Sequence, residues 1–82
     1  MNAKVIGVNL SRDKAVAALN DGDYVLLELL GEELENHEEI NGVFDQRVLG
    51  DTPIKRKSTL EVLHVYIQDY CNRQTAENWL MR

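Results

Sequence analysis

The chain has 82 residues, of which 44% are apolar and 28% are charged, a composition typical of a small folded domain. This length supports one hydrophobic core, so we expect a single domain over residues 1–82. Fourteen acidic residues against nine basic ones give a formal net charge of −5. That balance argues against a general nucleic-acid coat, which needs an excess of basic residues. The lone cysteine, Cys71, excludes an internal disulfide, and we expect it to be a buried small side chain.

Apolar runs in the sequence are too short for export or for crossing a membrane. The first run follows Lys4 and is interrupted at Asn9. A signal sequence needs about 7–15 consecutive apolar residues, and a membrane-spanning helix needs about 20. We therefore expect a cytoplasmic protein without a membrane partner.

The first thirty residues predict strands joined by a tight turn. Ile6, Val8 and Leu10 recur at every second position, as expected for one apolar face of a strand. An Asn-Asp-Gly-Asp turn then separates the apolar tract 15–19 from a second tract at 24–30. We expect these two tracts to pair as an antiparallel hairpin.

Two glycine signals follow in the middle of the chain. Asn41-Gly42 is typical of a two-residue hairpin turn, but a glycine inside a strand also marks a bulge. We favour the bulge, because residues 37–39 (His-Glu-Glu) would make a poor hairpin arm. Residues 50–53 (Gly-Asp-Thr-Pro) predict a turn after a short strand at residues 47–49.

Residues 59–70 fit two interpretations. Leu60, Leu63 and Ile67 have helical spacing, whereas Leu63, Val65 and Ile67 alternate with polar positions as they would in a strand. We favour a strand because the tract is rich in β-branched and aromatic residues.

A short helix is predicted over about 72–81. Asn72 suits its N-cap, and Ala76, Trp79 and Leu80 form an apolar stripe. The fold class is therefore mainly β, a small antiparallel barrel or curled sheet of five or six strands with a C-terminal helix. Closure would protect the strand edges, and we expect the helix to cover one open end with Trp79.

Two segments of the chain resemble known proteins. Residues 34–43 resemble the entry to a strand in SH3-like and OB-like barrels, where an apolar residue, a Gly-Asp turn and a strand with an internal glycine follow one another. Here Asn-His stands at the position of that turn. Residues 22–24 (Gly-Asp-Tyr) and 65–70 are similar to short bacterial proteins of unassigned role. The resemblance implies a small barrel and brings no active residues with it.

Charge changes sign along the chain. Residues 28–45 hold seven acids and no base, whereas residues 47–57 hold four bases and one acid. OB-like barrels that bind single-stranded nucleic acid combine a positive groove with aromatic side chains. Nucleic-acid binding through the basic loop 47–57 is therefore one hypothesis. Its candidate residues are Arg47, Lys55, Arg56 and Lys57, with Tyr24, Phe44 or Tyr66 as the stacking side chains.

The sequence offers little for catalysis or metal binding. Acidic residues surround His37, but they lack the spacing of a calcium loop or of a helical His pair, so we expect a solvated loop and no metal. The acids are Glu32, Glu33, Glu35, Glu38 and Glu39. His64 and Tyr66 share a strand face and could exchange protons, although an exposed polar face is the commoner arrangement. Without a nucleophile motif or a phosphate-binding loop, the sequence predicts neither an enzyme nor a cofactor.

Apolar residues outside the predicted core indicate an interaction surface. Trp79 and Leu80 lie on the terminal helix, and Leu26, Leu30 and Leu60 lie opposite the core positions of their strands. Small domains with apolar residues on both strand faces often bury one face against a partner or a second copy. The leading hypothesis is a non-enzymatic module that binds a protein or forms a homodimer through Trp79, Leu80, Leu26 and Leu30.

Overall fold

Six strands and one helix follow the alternation of apolar and polar residues. The structure, a computed structural model, describes all 82 residues. The strands are β1 (Asn2–Asn9), β2 (Lys14–Leu19), β3 (Tyr24–Glu28), β4 (Glu39–Gly42), β5 (Gly50–Arg56) and β6 (Val62–Cys71), and the helix is α1 (Arg73–Leu80). One turn of 3₁₀ helix, Leu10–Arg12, joins β1 to β2.

The strands close into an antiparallel barrel in the order β1-β2-β3-β6-β5-β4, with β4 pairing back to β1. The barrel thus consists of two three-stranded meanders, the first meander β1-β2-β3 and the second meander β4-β5-β6, joined side by side. Closure gives every strand a paired neighbour on both sides over at least part of its length. The mainly β class, the six strands and the C-terminal helix confirm the predicted fold class, and the β2-β3 pairing confirms the predicted hairpin.

The barrel interior is filled by inward-facing side chains from every strand. Large side chains that are almost fully buried include Val5, Val25, Leu27, Ile40, Ile54, Val65 and Ile67. Residues 59–70 contribute three of the inward side chains, so the strand interpretation of that segment is confirmed for Val62–Cys71. Leu34 and Phe44 enter the same core from the loops before and after β4.

The helix lies on the outside of the barrel wall, and the prediction that it covers an open end is wrong. Its N-cap is Asn72, as expected, whose side chain accepts a hydrogen bond from the Thr75 amide at 2.9 Å. Val16 and Leu26 alternate with core residues and therefore point outward, where they pack with Ala76 of the helix. These outward apolar positions draw α1 onto the first meander because they offer apolar area away from the core.

A bulge in β1 overturns the predicted face of that strand. The pairing with β2 shifts between Val5 and Gly7, which leaves Ile6 as an extra residue. Ala3 and Val5 face the core before the bulge and Val8 packs against it after the bulge, whereas Ile6 packs in the outer cluster under the helix. Leu10 lies outside the strand and is exposed.

Three expectations for the middle of the chain are also wrong. Asn41 and Gly42 form neither a hairpin turn nor a bulge, because they pair in regular register with Lys55 and Ile54. Residues 50–53 belong to β5 rather than to a turn, and residues 47–49 form no strand.

Strand neighbours explain why a glycine and a proline are tolerated there. A Cβ at Gly42 would lie 3.2 Å from the Phe44 ring, so glycine leaves room for that ring in the core. β4 ends opposite Ile54, which gives Pro53 a paired neighbour on one side only, where a strand tolerates proline.

Candidate interaction surface

The outer face of the second meander is the part of the barrel wall that no other element covers. On β5 the outward side chains are Asp51, Pro53 and Lys55, and on β6 they are Val62, His64 and Tyr66, all exposed. Across the two strands they form three direct pairs, Asp51 with Tyr66, Pro53 with His64, and Lys55 with Val62. We call the surface formed by these six residues, with the neighbouring Val43, the bare face.

Apolar side chains occupy much of the bare face. Val43 is 65% exposed, Val62 is 54% exposed and Tyr66 is 41% exposed. A shallow groove of about 380 Å³ lies on this surface, and Met1, Val43, Pro53, Lys55 and Val62 are among its lining residues. Contact between apolar area and water costs free energy, and exposed apolar area of this kind is typical of a surface that contacts another molecule.

The charges of the bare face balance one another. Asp51 and Lys55 lie two residues on either side of Pro53, and His64 Nδ1 is 3.6 Å from the Asp51 carboxylate. Both side chains of that contact are well exposed, so water screens it. The face therefore carries one acid and one base in a chain whose formal charge is −5.

Most of the apolar residues that the sequence suggested for an interface cover one another within the chain. Leu26 is buried in the outer cluster, where Trp79 and Leu80 pack against it. Lys14 Nζ lies 4.6 Å from the centre of the Trp79 ring and donates a hydrogen bond to the Trp79 carbonyl at 3.0 Å. Leu30 is exposed and lies beyond the end of β3, away from these three.

The predicted basic loop does not form one basic surface. Arg56, like Ile54, lies on the inward side of β5 and reaches the loop before β4, where it pairs with Glu38 at 2.5 Å. It also pairs at 2.9 Å with Glu61, which directly precedes β6. It also donates to the Glu33 carbonyl. Partial burial acts to lower the pKa of Arg56, but the hydrogen bonds and charges of Glu38 and Glu61 outweigh it and raise that pKa.

Arg47 and Lys55 lie apart from Arg56, whereas Lys57 lines the same groove as Arg56. Arg47 is in the loop between β4 and β5 and binds Asp45 in a fully exposed pair, which lowers the pKa of the Asp45 carboxyl through its hydrogen bond. Lys57 Nζ is 4.0 Å from the Glu39 carboxylate. Lys55 projects from the bare face and forms no ion pair.

The candidate aromatic side chains are also separated. Tyr66 shares the bare face with Lys55, whereas Tyr24 packs in the outer cluster under the helix and Phe44 is buried in the barrel core. Tyr66 is therefore the one predicted stacking side chain on an open surface that also carries a predicted base, and the two lie at opposite ends of that surface.

The acidic loop borders an open groove of about 700 Å³ whose other wall is the β5-β6 turn. Its lining is entirely polar, and Arg56 crosses it from wall to wall. His37 has φ +70°, and Glu38 turns back to accept a hydrogen bond from the Glu35 amide. The carboxylates are thus used within the loop, and no three His, Cys, Asp or Glu side chains of the chain converge as a metal-binding group.

Cys71 is half-buried at the end of β6, beside the helix cluster. Burial raises the pKa of its thiol, and the charges of Asp69 and Asp23 raise it further. The thiol is therefore held in its neutral, less nucleophilic form at neutral pH.

Sequence reasoning missed Val43, Pro53 and Val62 as members of a surface. The alternation in residues 59–70 carried the signal, because a strand with Leu63, Val65 and Ile67 inside must direct Val62 and Tyr66 outward. A helix of eight residues covers only one wall, so the remaining outward positions stay open.

Comparison with known proteins adds no relative. No family model matches the chain, and no curated protein and no solved structure shows detectable similarity to it. None of the chain's helices has the length and apolar character needed to cross a bilayer.

Proposed function

We propose that this chain is a protein-binding module without catalytic activity and that the bare face is its binding surface. The observation that carries the proposal is the difference between the two meanders. Outward apolar residues of the first meander are covered by α1, whereas Val43, Val62 and Tyr66 on the second meander meet solvent. Covering them with another protein would remove apolar area from water, worth about 25 cal/mol for each Å².

The composition of the bare face supports the same proposal. Val43, Pro53, Val62 and Lys55 line one groove, and Asp51 lies outside it, two residues from Pro53 along β5. Protein interfaces commonly have an apolar centre with a polar rim, and tyrosine is enriched in them. Tyr66 therefore suits this role.

Two basic side chains outside the bare face support a binding role for that face, because they already have partners within the chain. Arg56 is paired with both Glu38 and Glu61, and Arg47 is paired with Asp45. We also propose that the module lies in the cytoplasm, because the single cysteine of the chain needs no oxidising compartment.

Nucleic-acid binding is the competing hypothesis. It keeps Lys55 and Tyr66, which lie at opposite ends of the bare face, but Arg47, Arg56 and Lys57 each have a carboxylate within 4.0 Å. A phosphate would have to replace those contacts, so we favour a protein as the partner.

Site-specific photo-crosslinking in the native cells tests the proposal. A photoreactive phenylalanine analogue replaces Val62 on the bare face, and a matched variant carries it at Glu33, an exposed position on the acidic loop. We expect a discrete protein adduct, identified by mass spectrometry, from position 62 only. The same adducts from both positions, a nucleic-acid adduct from position 62, or no adduct from position 62 would overturn the proposal.

A further inference from the structure

We infer that the partner of the bare face is a second copy of this chain, packed face to face about a two-fold axis. The inference rests on the proposed function, because it names the occupant of the same surface. It follows from how charges and apolar groups are distributed about the centre of that surface.

The outward residues of β5 form a self-complementary pattern. Asp51, Pro53 and Lys55 are successive outward positions, so the acid and the base lie about 7 Å to either side of the proline. Consider a two-fold axis that lies in the interface and runs across the strands, along the line from Pro53 to His64. Rotation about this axis places β5 of one copy over β5 of the other, with the chain direction reversed. Lys55 of each copy then faces Asp51 of the other, which is the reciprocal contact that an isologous interface requires.

The outward residues of β6 obey the same symmetry. Val62 and Tyr66 flank His64 at equal spacing, so the same axis places Val62 of one copy against Tyr66 of the other. Pro53 and Val43 lie near the axis and meet their own equivalents. One operation thus pairs acid with base and apolar with apolar on both strands.

The local charge of the bare face is compatible with a copy of the chain on this surface. Two chains of formal charge −5 repel each other at long range, and the bare face, with one acid and one base, adds no local repulsion to that.

Charge-reversed variants test the pairing directly. In Lys55→Asp, two acids of each copy face two acids of the other, and in Asp51→Lys, two bases face two bases. We expect each variant to self-associate at least about tenfold more weakly than the parent chain in sedimentation equilibrium at low salt. An equimolar mixture should recover the two-chain mass, because every Asp of the first variant then faces a Lys of the second.

A second pair of variants distinguishes the effect of charges in the interface from the effect of the net charge of the chain. Arg12→Asp and Glu33→Lys change the total charge by the same amounts at exposed positions off the bare face. We expect their self-association to differ from that of the parent by less than about twofold, in isolation and when mixed. If this pair reproduces the loss and recovery of the Lys55 and Asp51 variants, the two-fold arrangement is wrong.

The parent chain provides a measurement that does not depend on variants folding. Diluting it from about 500 µM to about 10 µM should shift the backbone amide signals of Lys55, Val62 and Tyr66, since association in this range is typical of a modest interface. A one-chain mass at every concentration would overturn the second copy as partner. A different protein crosslinked from position 62 would also overturn the second copy as partner, but it would leave the proposed function intact. Absence of both the dimer and the crosslinked adduct would overturn the second copy and the proposed function together.

Discussion

The guanidinium of Arg56 joins the acidic loop before β4 to the β5-β6 turn. It pairs with Glu38 before β4 and with Glu61 before β6, and it donates to the Glu33 carbonyl. The Arg56 side chain is 19% exposed and the Glu38 side chain 11%, so water screens this pair less than it screens a surface ion pair. Arg56 therefore fastens the acidic loop onto the barrel.

Arg56→Met should destabilise the fold through the carboxylate that it leaves behind. We expect a loss of about 1–2 kcal/mol, below the 3–5 of a fully buried pair because Glu38 keeps some contact with solvent. Adding Glu38→Gln should recover part of the loss, since the unpaired charge is then removed. Urea unfolding measures both changes.

Arg47→Met is the matched control for that experiment. The pair that Arg47 makes with Asp45 is exposed, so we expect no measurable change in the unfolding midpoint. If the Arg47 and Arg56 variants lose the same stability, the ion pairs of Arg56 contribute nothing specific to the fold.

Ionisation of the Tyr70 hydroxyl should lower the free energy of unfolding at alkaline pH. This hydroxyl donates a hydrogen bond to the Val48 carbonyl at 2.9 Å, and burial raises the pKa of the phenol above its ordinary value. The folded state thus favours the neutral phenol, so its contribution is complete below about pH 10 and is lost as the pH rises through the raised pKa.

The Tyr70→Phe variant isolates this contribution. At pH 7 we expect a loss of about 1 kcal/mol for the missing hydrogen bond. Above pH 10 the parent should lose stability faster than the variant, and the difference between their urea midpoints should narrow. A constant difference from pH 7 to pH 11 would contradict the role given to Tyr70.

Residue roles were predictable from sequence where the partners are local. The Asn72 cap was predicted because its acceptor and the Thr75 amide lie three residues apart. The role of Arg56 was not, since the side chain of Glu38 lies 18 positions away and the fold alone brings the two together. A run of bases reads as one patch in a sequence, but Lys55 and Arg56 project from opposite sides of β5.

At the scale of elements, the bulge in β1 and the helix depend on each other. The bulge turns Gly7 outward, and a Cβ there would lie 2.5 Å from Leu80 Cδ2, so the helix sits directly on this glycine. Asn9 also donates a hydrogen bond to the Leu80 carbonyl at 2.8 Å. The first meander is thereby shaped to receive α1.

Weakening the N-cap of α1 should loosen the helix. We expect Asn72→Ala to lower the free energy of unfolding by about 1 kcal/mol and to speed hydrogen exchange at the Thr75 amide. Asn72→Asp is the control and should keep both near the parent values, since Asp also caps well. Equal exchange rates at Thr75 in the Ala and Asp variants would show that the cap is not formed.

Elements were predictable where neighbours in sequence are also neighbours in the sheet. The β2-β3 hairpin has a short turn and clear alternation, so local signals sufficed. β4 and β5 were misassigned because the local sequence suggested a bulge at Gly42 and a turn at Pro53. Their place in strands depends on the Phe44 ring and on where β4 ends, which are both tertiary facts.

For the whole molecule, two meanders that close one barrel have different outer surfaces. The first is covered by α1 and the second carries Val43, Val62 and Tyr66 in the open. The sequence predicted that some apolar residues would remain for an interface, but it placed them at Leu26 and Trp79. The wall that the helix covers determines which apolar side chains stay exposed. The position of the helix in turn depends on the bulge in β1, where Gly7 leaves room for Leu80.

Exposure of methyl groups to a soluble paramagnetic agent tests most directly whether the second meander is bare and the first is covered. At about 10 µM protein, the dilute end of the range in which the proposed dimer dissociates, the methyl signals of Val43 and Val62 should broaden several-fold more than those of Val16 and Leu26. Equal broadening of the two groups would contradict the account, because the helix would then leave the first meander as exposed as the second.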